Sequence, residues 1–183
     1  MTTVAFLRAI NVGGRGVVKM ADLQKAFTAA GCRSVRTFIA SGNVVFDAPV
    51  GVDVLRPRIL KKAGALFGGV EPVIMFRTLR ELEAIVKAAP FGALTADKTV
   101  KLYALFMAGT STRKPTFPLA LPKEGLEAIG TNKGDVLVVS RRKPNGWYGF
   151  PANWIERELG VPATARTWST VMKVVEFAKR GAP

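Results

Sequence analysis

The sequence predicts an α+β protein, and three observations carry that prediction. Short β-rich runs alternate with two amphipathic helical stretches through the first half of the chain. A second, looser series of strands and helices starts after Pro90. Glycine, proline and asparagine stand at nearly every boundary between them. The predicted division is a subdomain over 1–90 and a second over 91–183.

Thr3 to Ala9 reads as a short buried strand, and Val17 to Met20 closes a glycine loop. Ala21 to Ala30 carries Leu23 and Phe27 at helical spacing, with Gly31 just after it as a C-cap. Val35 to Ala40 and Val44 to Asp47 are strand-like around the turn Ser41-Gly42-Asn43. Val52 to Phe67 is a second helix, with Pro57 in its first turns and Gly68-Gly69 at its end. Glu71 to Phe76 is a fourth strand. The order β-α-β-β-α-β predicts a ferredoxin-like unit, one antiparallel sheet with two helices on one face.

A third helix, Leu79 to Ala88, stops at Pro90. The pattern then restarts with the strand Val100 to Ala108 and a Pro-containing connection from Gly109 to Pro118. Leu119 to Gly125 is expected as a short helix. Glu127 to Thr131 and Asp135 to Ser140 form a hairpin around Asn132-Lys133-Gly134. Arg141 to Gly149 is a basic, turn-rich loop, and Pro151 to Leu159 a helix ended by Gly160. Ala163 to Thr167 is a candidate fourth strand of this half. Thr170 to Arg180 is the last helix, with Ser169 its expected N-cap. The second half is a smaller, divergent α+β echo of the first, closed by a C-terminal helix.

Composition bounds the function. Apolar residues make up 49% and charged residues 22% of 183 residues, ordinary for a globular chain. No apolar run approaches the ~18 residues of a membrane span, and the N-terminus MTTVAFLRAINV lacks a basic leader. A cytoplasmic protein without membrane contact is expected. The one cysteine, Cys32, and the absence of histidine remove the usual zinc sites and the Ser-His-Asp and Cys-His arrangements. No metal site and no cofactor is read from the residues. Cys32 is expected as a small side chain packed where a helix ends. The pairs Glu81/Glu83 and Glu156/Glu158 do not form acid/base dyads, and solvation of helix faces accounts for them.

The charge is the unusual feature. Twenty-seven basic residues against thirteen acidic ones give +14. It is spread evenly: thirteen basic and six acidic residues up to Phe91, fourteen and seven from Gly92 onward. Such a surface attracts polyanions through phosphate contacts and counterion release.

The stretch from Arg8 to Met20, RAINVGGRGVVKM, has the chemistry of an anion cradle. Gly13 and Gly14 allow backbone N–H groups to turn inward; Arg8, Arg15 and Lys19 supply charge; Asn11 supplies a directed amide. Its spacing matches neither G-x-G-x-x-G nor the P-loop. A wide turn with Gly13 and Gly14 at positive φ and Asn11 capping it explains the same residues. If the Val35 to Ala40 strand follows the Thr3 to Ala9 strand through a helix crossover, the two run parallel, and Ser41-Gly42-Asn43 falls beside the end of the first strand. That gathers Arg8, Asn11, Lys19, Ser41 and Asn43 at one rim. The plain alternative is that Gly42 only turns the hairpin.

Two further clusters follow. Arg141, Arg142 and Lys143, with Trp147 and Tyr148 behind them, form the best basic-aromatic stretch. Cations bind phosphates there and aromatic faces stack bases. Arg166 and Trp168 precede the last helix, where they either bind an anion or base, or simply pack.

Three segments together, AFLRAINVGG with VKMADL, VRTFIASGNVVF, and ATARTWSTVMKV, resemble the family of bacterial proteins of unknown function called DUF1697. The resemblance implies an α+β fold with a ferredoxin-like N-terminal part and a smaller second α+β part, and it implies no reaction. The chain departs from the pattern at Ala165 and Thr167. It also departs at Phe150-Pro151-Ala152-Asn153, where members often carry a Ser-Lys.

The function expected from these features is binding of a phosphate-bearing partner, with nucleic acid the polyanion that the charge favours. The alternative is an enzyme or sensor acting on a small phosphorylated or carboxylated metabolite at the Arg8/Asn11/Ser41/Asn43 rim. A third reading is a module that dimerises through a sheet edge. A small-ligand site predicts a pocket with converging polar groups, and a dimer module predicts an exposed apolar patch.

Overall fold

The computed structural model describes residues 1–10 and 18–181. The chain divides into two compact units: residues 1–83 together with the segment from Lys173, and Ala84–Met172.

The first unit holds β1 (Thr2–Leu7), α1 (Met20–Ala29), β2 (Arg33–Phe38), β3 (Asn43–Asp47), α2 (Val52–Gly64) and β4 (Ile74–Thr78). The element order is the one the sequence predicts. Its four strands lie in the order β2-β3-β1-β4, and every neighbouring pair is antiparallel. Leu23 and Phe27 of α1 and Leu55 and Ile59 of α2 share one core with Ala5, Leu7, Val44, Phe46 and Phe76 of the sheet. The rings of Phe27, Phe46 and Phe76 run edge to face through it, with centroids 5.4 and 6.3 Å apart. Helix α2 gives way at Ala65–Phe67 to a single 3-10 turn, so it is shorter than its hydrophobic spacing suggests.

Cys32 is buried and reduced just after α1, as a packing residue would be. Desolvation by burial pushes its thiol up to about 11. Helix α3 (Leu79–Lys87) begins at a reciprocal cap. Thr78 Oγ1 accepts Glu81 N–H at 3.1 Å, and Glu81 Oε2 accepts Thr78 N–H at 2.7 Å. Glu81 is therefore a capping residue rather than a solvated one.

The second unit is built on β5 (Val100–Met107), β6 (Leu119–Leu121), β7 (Leu126–Asn132), β8 (Asp135–Arg141), α4 (Ala152–Leu159) and β9 (Ala163–Thr167). They form an antiparallel sheet in the order β6-β7-β8-β5-β9. Tyr103, Leu105 and Met107 alternate along β5 into a core with Leu126, Val136, Val138 and α4 residues Trp154, Ile155 and Leu159. The hairpin turn is Lys133-Gly134 at φ 49° and 92°, closed by Asn132 opposite Asp135. Two left-handed residues are what a two-residue hairpin of this twist needs.

The short helix expected over Leu119 to Gly125 is a correction. Leu119–Leu121 pairs with Ala128–Leu126 as an edge strand, and only Pro122–Glu124 turns helically. Ala163–Thr167 does supply a strand, at the opposite edge of the sheet.

The last helix, α5, is Trp168–Lys179, two residues earlier than its pattern suggests. Thr167, not Ser169, caps it: Thr167 Oγ1 accepts Thr170 N–H at 3.4 Å and bonds Thr170 Oγ1 at 2.9 Å. A boundary leaving all of 91–183 in one subdomain differs from the observed division, because the end of α5 belongs with the first unit. Phe177 stacks on Phe38 at 5.2 Å, its carbonyl accepts Arg36 Nη1 at 3.1 Å, and Lys179 pairs with Glu83 at 3.5 Å.

Candidate functional site

The rim at the end of β1 comes first. β1 and β2 are parallel with β3 between them, so the β2–β3 turn does meet the end of β1. Leu7 N–H donates to Gly42 O at 2.9 Å. Gly42 sits at φ 76° against Ile10 Cγ2, and a Cβ there would also lie 3.1 Å from Leu7 Cβ. Of the residues expected at this rim, Asn11, Gly13, Gly14 and Arg15 lie outside the described residues. Arg8 is half-buried, and its N–H donates to Val73 O at 3.0 Å. Lys19 is exposed, and its carbonyl accepts the first N–H groups of α1.

Asn43 and Ser41 are joined within the β2–β3 turn. Asn43 is fully buried, and its Nδ2 donates to Phe38 O and to Ser41 Oγ, each at 3.0 Å. Both amide protons therefore serve the turn, because Asn43 opens β3 opposite Phe38 and Phe6 inside the sheet. Asn43→Ala should leave the Phe38 carbonyl without its donor and cost about 1–3 kcal/mol, read as a lower urea midpoint. An unchanged midpoint would show that the amide is dispensable to the turn.

The basic-aromatic loop lies in the second unit and is held by its own bonds. Arg142 N–H donates to Thr99 O at 2.7 Å, and its Nε donates to Gly146 O at 3.1 Å. Lys143 N–H donates to Trp147 O at 2.8 Å, and Trp147 N–H donates to Asn145 Oδ1 at 3.1 Å. Tyr148 Oη donates to Lys98 O at 2.5 Å, and Lys101 Nζ stands 4.2 Å over the Tyr148 ring. On this braced loop the Trp147 side chain is 74% exposed and Phe150 62% exposed. Arg141 reaches Glu127 at 3.6 Å yet stays largely in solvent, while Lys143 is ion-paired to Glu124 at 2.8 Å.

Arg166 and Trp168 take packing roles. Arg166 is buried on β9, and its Nη1 donates to Thr164 Oγ1 at 2.7 Å and to Ala165 O at 3.0 Å. Burial pulls its guanidinium down to about 10, so it remains charged at neutral pH. Trp168 lies edge to face on Phe91 at 5.2 Å. Glu156 likewise is structural in part, since its Oε1 accepts Ala163 N–H at 2.8 Å.

The sequence reading missed a cavity of about 650 Å³ in the second unit, lined by Leu121, Glu124, Leu126, Phe150, Asn153, Trp154, Glu156 and Arg157. No motif announces it. Its walls come from 121–126 and 150–157, which meet because Gly149 packs against the Glu124 carbonyl. Phe150 and Asn153 are both in the wall. Among the described residues no group of His, Cys, Asp or Glu is placed to hold a metal ion, and no helix is long and apolar enough to cross a membrane.

The conserved bacterial protein SP0830 from Streptococcus pneumoniae has a similar fold, with a TM-score of 0.59 at 19% sequence identity, over 97% of this chain and 98% of that one. No curated protein matches this chain. The pattern of the family described as "Protein of unknown function (DUF1697)" matches residues 1–136, which takes in the first two segments noted in the sequence and stops short of the third. The chain belongs to the DUF1697 family.

Proposed function

We propose that this protein binds single-stranded nucleic acid through the Arg141–Phe150 loop of its second unit. The observation that carries this is Trp147, exposed over 74% of its surface on a loop whose backbone is tied by internal hydrogen bonds. An indole left in water on a rigid support is a stacking platform for any base. Arg141 and Arg142 precede it on the same loop and are exposed, and they offer charge to the phosphates of a bound strand. The +14 net charge adds long-range attraction to the same partner.

The test is fluorescence anisotropy with labelled single-stranded and duplex oligonucleotides over a salt series. Binding to single strands should persist near ~0.15 M salt and exceed binding to duplex. Trp147→Ala should weaken it roughly 5- to 150-fold, the range expected for loss of one stacked base. Arg141→Ala should weaken all sequences alike and flatten the salt dependence. Binding that disappears by ~0.15 M salt without preference for strand form, or that ignores Trp147→Ala, would refute the proposal.

A further inference from the structure

Resting on the strand-binding reading above, we infer that the cavity beside the loop receives one unstacked base, a planar heteroaromatic carrying an exocyclic amine. It is a cleft open to solvent on one side, and its volume of about 650 Å³ is in the range of small-ligand pockets. Its lining has two halves. Phe150 and Leu121 offer apolar surface to a flat ring, over a floor formed by the buried Leu126 and Trp154. Asn153 offers an amide oxygen to an amine edge and amide donors to a ring nitrogen, beside the carboxylates of Glu124, which pairs with Lys143, and Glu156, which accepts the Ala163 N–H.

The charge sorts the ligand. On a chain with twenty-seven cations and thirteen anions, this lining carries two carboxylates and one arginine. With Lys143 paired to Glu124 the lining is close to neutral, whereas the loop is basic, so a nucleotide is oriented with its base inward and its backbone toward the loop cations.

The cavity and the platform are linked through the chain and through one ion pair. Phe150 follows Trp147 by three residues, at most about 11 Å of chain. Lys143, from the loop, is ion-paired at 2.8 Å to Glu124, from the cavity wall. Gly149 closes onto the carbonyl of the same glutamate. A strand stacked on Trp147 thus has the cavity within reach of a neighbouring base. Recognition of splayed bases by stacking and edge hydrogen bonds is the usual means of reading single strands.

The experiment compares equal-length oligo(dA), oligo(dC) and oligo(dT) on the wild-type protein and on Asn153→Leu and Glu156→Gln. Asn153 is exposed, and glutamine keeps an oxygen for the Ala163 N–H, so both variants should fold; circular dichroism checks this. The wild type should prefer amine-bearing dA or dC over dT by about tenfold, one good hydrogen bond's worth. Both variants should lose that preference. Oligonucleotide binding with no preference, or a preference that both variants retain, overturns the inference and leaves the strand-binding reading standing. If no oligonucleotide binds, that reading fails, and saturation-transfer NMR with free adenosine and cytidine decides the cavity separately. Transfer that Asn153→Leu abolishes supports a free heteroaromatic ligand, and no transfer overturns the inference.

Discussion

Gly149→Ala is expected to destabilise the protein by about 2–4 kcal/mol and to lower Tm by roughly 4–16 °C. A Cβ at this position would run into the Glu124 carbonyl oxygen, with Leu126 Cγ at 2.9 Å and Glu124 Cβ at 3.2 Å. The nearest obstacle is backbone, which cannot rotate aside as a flexible side chain would. Gly149 cannot retreat easily either, because its own carbonyl accepts Ser140 Oγ at 2.9 Å in a buried position. Relief requires the loop to lift from residues 122–126, which loosens the Trp147 platform and opens the cavity wall together. Oligonucleotide affinity should therefore fall with stability. Gly109→Ala is the control: nothing lies within 4 Å of a Cβ there and its backbone is not left-handed, so its Tm should match the wild type. A Gly149→Ala protein that melts with the wild type would show that the two segments are not held at this distance in solution.

The second large effect is in the other core. Phe46→Ala should cost about 3–5 kcal/mol, the usual range for a buried phenylalanine. Phe46 is almost fully buried and is the middle ring of the Phe27–Phe46–Phe76 series, so its loss removes two edge-to-face contacts and leaves a cavity between sheet and helices. Phe46→Leu keeps most of the apolar volume and should cost much less. All three tryptophans, Trp147, Trp154 and Trp168, lie in the second unit, so far-UV circular dichroism under urea is the appropriate readout rather than tryptophan fluorescence. Equal midpoints for the alanine variant and the wild type would mean that the ring series contributes nothing to stability.

The alternation of strands and helices was legible because its signals are local. Leu23 and Phe27 mark one helical face, and the Lys133-Gly134 turn names its own hairpin. Misses occurred where local signals were too short or ambiguous. β6 has three residues, Leu-Ala-Leu, between Pro118 and Pro122, and three residues show no alternation. Thr167, Ser169 and Thr170 are all competent caps, and only the tertiary path of β9 chooses among them. The site was less legible than the fold. An asparagine amide suits a ligand or a turn equally well, and burial, which decided for the turn at Asn43, is not a local property. The exposed Trp147 loop could be read from composition, since basic and aromatic residues lie side by side in sequence. The neighbouring cavity could not, because its walls are separated in sequence and joined by a close approach at a single glycine.

The first unit is discontinuous: it takes its last piece from the segment beginning at Lys173, while Ala84–Met172 forms the second unit without interruption. On a ribosome the order of completion is therefore the reverse of the order of synthesis. The N-terminal strands emerge before residue 177, so Phe38 and Arg36 wait for Phe177 until residues 39–177 have been made. At about 5–20 residues per second that delay is on the order of ten seconds. During it, nascent chains carry an unfinished sheet, and that interval is when the protein is most open to chaperones and to proteases.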